Sequence, residues 1–291
     1  MREKILNEGL REFKGGMFFF YFDTLDVIQH MFWRFLDPQS PLYEKNAVYQ
    51  DTVFKYYEKI DQIIGKTLKK LDKDATLIVL SDHGFTSFRR TVHLNRWLLD
   101  NEYLFLKGDK NRCKEFLEDI DWPKTRAYAL GFGGIYLNKI GREYYGIVNE
   151  YEVQNLKEAI IKGLEEFRDP ENGKKVIKAI YAQEDVFRGP YINDAPDLFV
   201  GFNVGFRASW QTAIGGVPQL LIEDNQRKWS GDHLVDPSLV PGLIFVNKKI
   251  ELNKPSLVDI VPSILGLFNI DKPQEMQGEN LFKDILRIEK Q

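Results

Sequence analysis

The sequence predicts an α/β protein built on a mostly parallel sheet that helices cover on both faces. Residues 17–22 and 76–80 have the apolar composition of strands buried on both sides. Residues 47–71 lie between them and have helical periodicity. Polar residues follow both apolar segments, at 23–26 and at 81–84. This order is typical of a parallel sheet whose functional site lies beyond the carboxyl ends of its strands.

The elements that follow are shorter and less regular. We expect a short helix at 95–99, strands at 126–130 and 134–137, an amphipathic helix at 152–167, a β-rich stretch at 176–202, a buried strand at 242–246, and a helix at 256–268 capped by Ser256. We divide the chain into a core part at 1–105, a smaller cap or insertion at 106–205, and a return to the core at 206–291.

Composition excludes several classes of protein. The 40 Lys and Arg against 43 Asp and Glu give a net charge of −3, which does not favour a nucleic-acid polymer or an anionic membrane as partner. The single cysteine, Cys113, excludes an intramolecular disulfide and a thiolate metal cluster, so any metal must be held by Asp, Glu and His. The longest apolar run, residues 17–22, is far shorter than a membrane span. Polar residues at 7–12 break any signal-peptide pattern, and we expect a cytoplasmic protein.

Three of the four histidines lie near an aspartate at a place where a site is expected. Asp26 and His30 are four residues apart, which on a helix places both side chains on one face. Asp82 and His83 end a predicted strand, and Asp232 and His233 lie in a loop before the strand at 242–246.

Each pair also has a simpler interpretation. The pair at 26 and 30 can be a solvated or capping pair, Asp82 can cap a turn, and His233 can be an ordinary loop histidine. The joint occurrence favours a site for two metal ions made of Asp and His ligands. His93 has no neighbouring aspartate, and we interpret it as structural.

The three pairs, in order, resemble motifs of the alkaline phosphatase superfamily. The segments are Asp26-x-x-x-His30, Ser81-Asp-His-Gly84 and Trp229-Ser-Gly-Asp-His233. Within the superfamily they are most similar to the type I phosphodiesterase/nucleotide pyrophosphatase branch. Residues 94–98, 195–197, 259–265 and 276–278 add to the resemblance, which extends from Gly9 to Phe282.

The resemblance implies an alkaline-phosphatase-like fold and a hydrolase that uses two divalent metal ions, Zn²⁺ or alternatively Mn²⁺. Asp26, His30 and His233 are then the ligands of one ion, and Asp82 and His83 are ligands of the second. The implied substrate is a phosphodiester, a nucleotide pyrophosphate or another small phosphoester. Hydrolysis of phosphomonoesters or sulfate esters and transfer of phosphate groups stay open as alternatives within the superfamily.

In this family a Thr or Ser nucleophile and a further metal-binding Asp lie well upstream of the Asp-x-x-x-His motif. No residues before Asp26 resemble that segment, so we expect the sequence to be the C-terminal portion of a family member. Thr24 is the one candidate for a substitute nucleophile, although an ordinary place at a strand end explains it more simply. We also expect self-association, or a need for a complementary N-terminal segment, and a non-catalytic metal-binding fragment or split subunit stays an alternative.

Overall fold

The computed structural model describes residues 1–108, 111–113 and 115–282. The chain forms two compact units. The first unit comprises Met1–Ile60 and Phe85–Val240, and the second comprises Asp61–Gly84 and the chain from Pro241. Within the described residues, no helix combines the length and the apolar composition that crossing a bilayer requires.

Helices and strands alternate irregularly along the chain. The helices are α1 (Arg2–Glu12), α2 (Thr24–Phe32), α3 (Thr52–Leu68), α4 (Leu94–Asp100), α5 (Glu150–Glu165), α6 (Gln183–Val186), α7 (Trp210–Ala213) and α8 (Ile260–Leu267). The strands are β1 (Ile78–Leu80), β2 (Thr86–Val92), β3 (Ala127–Leu130), β4 (Gly134–Leu137), β5 (Ile177–Ala182), β6 (Leu198–Phe202), β7 (Gly205–Ala208), β8 (Ile222–Asp224), β9 (Gly231–Asp232) and β10 (Ile244–Val246). The α/β class predicted from the sequence is confirmed.

Two sheets organise the first unit. Strand β2 lies at the centre of one sheet, between β7 and β8, and its first residues pair with β9. The other sheet has the order β3-β4-β6-β5, and α5 packs against β5. A continuous apolar core extends from Val92 to Val240 and includes Leu98, Ile135 and Phe202, each with no exposed surface. The core includes residues of β2 and β7, and β2 is the strand with which β9 pairs.

The second unit contains a two-stranded sheet of β1 and β10. Ile78 lies opposite Val246 and Leu80 opposite Ile244. The amide of Ser81 extends the pairing by donating to the carbonyl of Leu243 at 3.0 Å. Further along, Ser256 precedes a 3₁₀ turn that leads into α8, and its backbone N–H donates to the Asp259 carboxylate at 2.7 Å, in agreement with the predicted cap.

The predicted parallel pairing is wrong for the strands at 76–80 and 242–246. Strands β1 and β10 are antiparallel, and of the seven ladders among the described residues only β2 with β7 is parallel. A short apolar run shows that a strand is buried, but it carries no information on the direction of the partner strand.

The strand predicted at 17–22 is also wrong. This segment is irregular and joins no ladder among the described residues. Its even-numbered rings instead contact one another. Phe18 and Phe20 are stacked with centroids 6.3 Å apart, and the rings of Phe20 and Phe22 are tilted with centroids 5.0 Å apart. Contact between rings along an irregular segment needs the same aromatic composition as a buried strand, so composition alone does not distinguish the two.

The other predicted elements are present, with ends displaced by up to five residues. The helices at 47–71, 95–99, 152–167 and 256–268 correspond to α3, α4, α5 and α8, and the strands at 126–130 and 134–137 correspond to β3 and β4. The β-rich stretch at 176–202 contains β5 and β6. The predicted insertion at 106–205 lies wholly inside the first unit, and its boundaries stay a prediction.

Candidate metal centre

Helix α2 presents Asp26 and His30 on one face. The two residues are one turn apart, and Nε2 of His30 lies 3.4 Å from Oδ1 of Asp26. The histidine side chain is buried, whereas that of Asp26 is 35% exposed. The pair therefore has one protected member and one member open to solvent.

The fold brings His233 to the same place. It follows directly after β9, in which Gly231 lies opposite Ser87 and Asp232 opposite Thr86. Nε2 of His233 lies 4.0 Å from Oδ1 of Asp26. One ligand atom from each of Asp26, His30 and His233 lies within 4.8 Å of the others, so the three side chains converge on one point.

A hydrogen bond selects the ring nitrogen of His30 that is free to bind a ligand. Nδ1 lies 2.7 Å from the carbonyl oxygen of Gly231, and because a carbonyl only accepts, Nδ1 carries the proton. The lone pair is then on Nε2, which faces Asp26. Burial lowers the pKa of His30, which favours the neutral imidazole. Metal-binding histidines typically have their second nitrogen fixed in this way.

Close contact between α2 and β9 makes this hydrogen bond possible. A Cβ atom at position 231 would lie 2.6 Å from the backbone oxygen of Gln29 and 2.8 Å from Cβ of Trp33, so only glycine fits. The next residue back, Ser230, donates its backbone N–H to the carbonyl of His30 at 2.7 Å. Two hydrogen bonds thus join His30 of α2 to Ser230 and Gly231.

Aromatic rings surround His30. Trp229 stacks on one face, with ring centroids 3.6 Å apart and planes inclined by 24°. Phe85 meets the ring edge-on at 4.7 Å and also packs 5.4 Å from His233. The apolar packing holds the ring in place and keeps water from its faces.

One carboxylate oxygen and two imidazole nitrogens form a donor set that suits Zn²⁺, with Mn²⁺ a weaker fit. Three protein ligands and a solvent-facing side are also the arrangement of catalytic zinc sites, in which the fourth position stays open. The residues present therefore fit a divalent metal ion.

Asp82 and His83 belong to the second unit. Nε2 of His83 lies 3.6 Å from Oδ1 of Asp82, and Asp82 is 70% exposed. Nδ1 of His83 lies 3.1 Å from the carbonyl oxygen of Gly84, which again directs Nε2 away from the main chain. Their role as ligands of a second ion stays a prediction.

Two further residues from the sequence analysis have ordinary surroundings. Thr24 opens α2, and its hydroxyl donates to the carboxylate of Asp23 at 3.3 Å. His93 is fully buried, and its Nε2 lies 3.2 Å from a carboxylate oxygen of Glu223. These contacts agree with the structural roles favoured for both residues.

Sequence reasoning missed the carboxylate of Asp232 and its partner Arg207. Both side chains are 1% exposed, and Nε of Arg207 lies 2.8 Å from Oδ2 of Asp232. The sequence noted Asp232 only as a neighbour of His233, and Arg207 has no motif around it that could have indicated a buried ion pair.

Comparisons with known proteins bear on the family of the chain. The family model described as type I phosphodiesterase/nucleotide pyrophosphatase matches residues 4–226, a range that includes Asp26, His30, Asp82 and His83. A search of curated proteins gave no significant match.

Solved structures similar to the chain include two ectonucleotide pyrophosphatase/phosphodiesterase 5 proteins. The human protein is 17% identical, with a TM-score of 0.40 and coverage of 92% of this chain and 56% of that chain. The murine protein is 15% identical, with a TM-score of 0.47 and coverage of 99% and 63%. The chain thus spans less than two thirds of either protein. The assignment rests on the family match, which covers most of the sequence: the chain belongs to the type I phosphodiesterase/nucleotide pyrophosphatase family.

Proposed function

We propose that the protein is a metal-dependent phosphohydrolase that acts on phosphodiesters or nucleotide pyrophosphates. The observation that carries the proposal is the convergence of Asp26, His30 and His233, whose ligand atoms lie within 4.8 Å of one another. Family membership supports the reaction type. The ligand chemistry supports the metal dependence.

In this proposal Asp26, His30 and His233 hold one divalent ion, and Asp82 with His83 contributes to a second. Zn²⁺ is the preferred ion for both, because imidazole with a few carboxylates suits it best. When bound, such ions neutralise the charge of the phosphoryl group and stabilise the oxygens that enter and leave.

The protein side chains divide the remaining work. Gly231 holds the Nδ1 proton of His30, and Trp229 with Phe85 fixes the imidazole plane, so Nε2 has one orientation. Asp26 and His233 are 35% and 25% exposed, which leaves that side of the centre open for a substrate phosphate. A preorganised centre of this kind needs little rearrangement when the substrate binds.

The test has two arms that use the full chain. Purification without chelator followed by elemental analysis measures bound metal, and we expect at least one divalent ion per chain. Hydrolysis of bis(4-nitrophenyl) phosphate is then compared with that of 4-nitrophenyl phosphate and 4-nitrophenyl sulfate, with and without added Zn²⁺ or Mn²⁺.

We expect the chain alone to hydrolyse the diester slowly, because the sequence offers no recognised nucleophile. Any metal-stimulated hydrolysis should be faster for the diester than for the other two substrates, lost in Asp26→Ala and retained in His93→Gln. The matched control replaces a histidine outside the cluster. Absence of metal above background would overturn the metal-dependent function. Preference for the monoester or the sulfate ester would move the protein to another reaction of the superfamily.

A further inference from the structure

The carboxylate of Asp232 contacts the backbone of His233 and the side chain of Trp229, which packs against His30. Oδ1 accepts the backbone N–H of His233 at 2.8 Å and that of Leu234 at 3.1 Å. Oδ2 accepts the indole N–H of Trp229 at 2.8 Å and lies 2.8 Å from Nε of Arg207. Oδ1 therefore accepts two backbone N–H groups, whereas Oδ2 accepts one indole N–H and forms an ion pair with the guanidinium.

These two sets control different ligands. The donors to Oδ1 form the turn that carries His233, so this oxygen fixes the backbone from which one imidazole projects. The donor to Oδ2 is the indole that stacks 3.6 Å from the ring of His30, so this oxygen fixes the surface against which the other imidazole packs. One buried carboxylate thus connects the two nitrogen ligands, which lie far apart in the sequence.

Arg207 makes a buried charge tolerable at this position. Its guanidinium carbon lies 4.1 Å from the ring centroid of Trp210, 4.5 Å from that of Phe132 and 5.1 Å from that of Phe88. The aromatic faces stabilise the cation, and the cation compensates the charge of Asp232. Replacing a buried ion pair by well-packed apolar side chains is often neutral for stability, so the pair by itself is weak evidence of a stabilising role.

We propose that Asp232 is a positioning residue for the metal centre, which holds the backbone of His233 and the indole of Trp229 so that both Nε2 atoms point at one ion. This inference rests on the proposed metal-dependent function. Asp232 acts through these neighbours, and partners of this kind typically change metal affinity by about 10–100-fold.

Asp236 provides a matched control. Its carboxylate is buried to the same degree as that of Asp232 and lies four residues further along the chain. It accepts the backbone N–H of Ser238 at 3.0 Å and the hydroxyl of Tyr181 at 2.8 Å, and neither partner contacts an imidazole of the centre. Replacing Asp236 therefore removes a comparable buried carboxylate without touching the proposed connection.

The experiment measures Zn²⁺ affinity of the full chain by competition with a chromophoric chelator. In Asp232→Asn the amide oxygen can keep the backbone contacts, but its NH₂ group then faces two donors, the indole and the guanidinium. We expect affinity to fall by about 10–100-fold, against less than about threefold for Asp236→Asn. The absorption spectrum of the Co²⁺-substituted protein should change only in Asp232→Asn, because it reports ligand geometry.

Asp232→Asn leaves the buried cation of Arg207 without its anion, and this variant can fail to fold. Two further variants test the proposal in that case. The double variant Asp232→Asn/Arg207→Met removes both charges and should show the same loss of affinity. Trp229→Phe keeps a stacking ring and the ion pair but removes the indole N–H, and we expect a loss of about tenfold.

Affinity within about threefold of wild type in the folded Asp232 variants, or an equal loss in Asp236→Asn, would overturn the positioning role. A wild-type protein that binds no Zn²⁺ would instead overturn the proposed function, and this result is visible before any variant is made.

Discussion

Replacing Gly231 by alanine tests whether the close contact of α2 with β9 builds the metal centre. The added Cβ would lie 2.6 Å from the backbone oxygen of Gln29 and 2.8 Å from Cβ of Trp33. Restoring ordinary van der Waals contact requires a displacement of about 0.8 Å. Because His30 follows Gln29 in the helix, its Nδ1 would move from 2.7 Å to about 3.5 Å from the Gly231 oxygen, beyond hydrogen-bond distance.

The expected cost has two parts. Overpacking at a tight contact costs about 1–3 kcal/mol, and loss of a buried hydrogen bond costs about 1 kcal/mol more. We therefore expect Gly231→Ala to lower the free energy of unfolding of the first unit by about 2–4 kcal/mol. Zn²⁺ affinity should also fall, because the tautomer and position of His30 are no longer fixed.

Urea unfolding followed by tryptophan fluorescence is the appropriate assay. All five tryptophans, at positions 33, 97, 122, 210 and 229, belong to the first unit, so the signal reports that unit alone. Lys162→Ala is the control, because this residue lies on the exposed surface of α5 in the same unit, and the free energy of unfolding should change by less than about 0.5 kcal/mol. Unchanged unfolding and unchanged Zn²⁺ affinity in Gly231→Ala would show that the contact does not shape the site.

Four shorter predictions address individual residues. His233→Ala should abolish tight Zn²⁺ binding in a chelator competition, whereas His93→Ala should retain it; equal affinities would remove His233 from the ligand set. Asp82→Asn should lower the number of ions bound at saturating Zn²⁺ without weakening the tight site, and unchanged stoichiometry in elemental analysis would argue against a second ion there. Thr24→Ala should leave the rate of diester hydrolysis within about twofold of wild type, since the Thr24 hydroxyl bonds Asp23; a loss of two orders of magnitude would identify it as the nucleophile instead. Burial lowers the pKa of His93 from its ordinary value of 6.5, so the unfolded chain binds the proton more readily and the free energy of unfolding falls as pH drops below 6.5. Urea unfolding measured between about pH 7 and 5.5 should show a smaller fall in His93→Gln. An equal fall in the variant and the wild type would contradict this prediction.

The local parts of the metal centre were accessible from the sequence. The spacing of Asp26 and His30 predicts two side chains on one helical face, and the structure has them there. The convergence of His233 on the same point depends on the pairing of β9 with β2, which no local pattern encodes. Only the resemblance to a family supplied that part before the structure did.

The wrong and missed sequence predictions all concern contacts that local composition does not encode. Apolar composition identified the strands β1 and β10, but their antiparallel pairing depends on how the chain between them returns. The aromatic segment at 17–22 has the composition of a strand, but its rings contact each other and it joins no ladder among the described residues. The ion pair of Asp232 and Arg207 joins two strands through a contact without periodicity, so it leaves no trace in either segment.

The hydrogen bond from Nδ1 of His30 ends on a main-chain oxygen, and this has a consequence for how the protein can change. A carboxylate partner could be lost or exchanged by one substitution, but every amino acid at position 231 carries the same carbonyl group. Substitution there can disturb the bond only through the size of the added side chain. Variants with other side chains around His30 would therefore change the ring that packs on the imidazole and the charge near it. The nitrogen that binds the metal would remain Nε2 as long as α2 and β9 stay in contact. Attempts to alter metal preference should accordingly begin at Trp229 and Asp26, whose side chains are directly accessible to substitution.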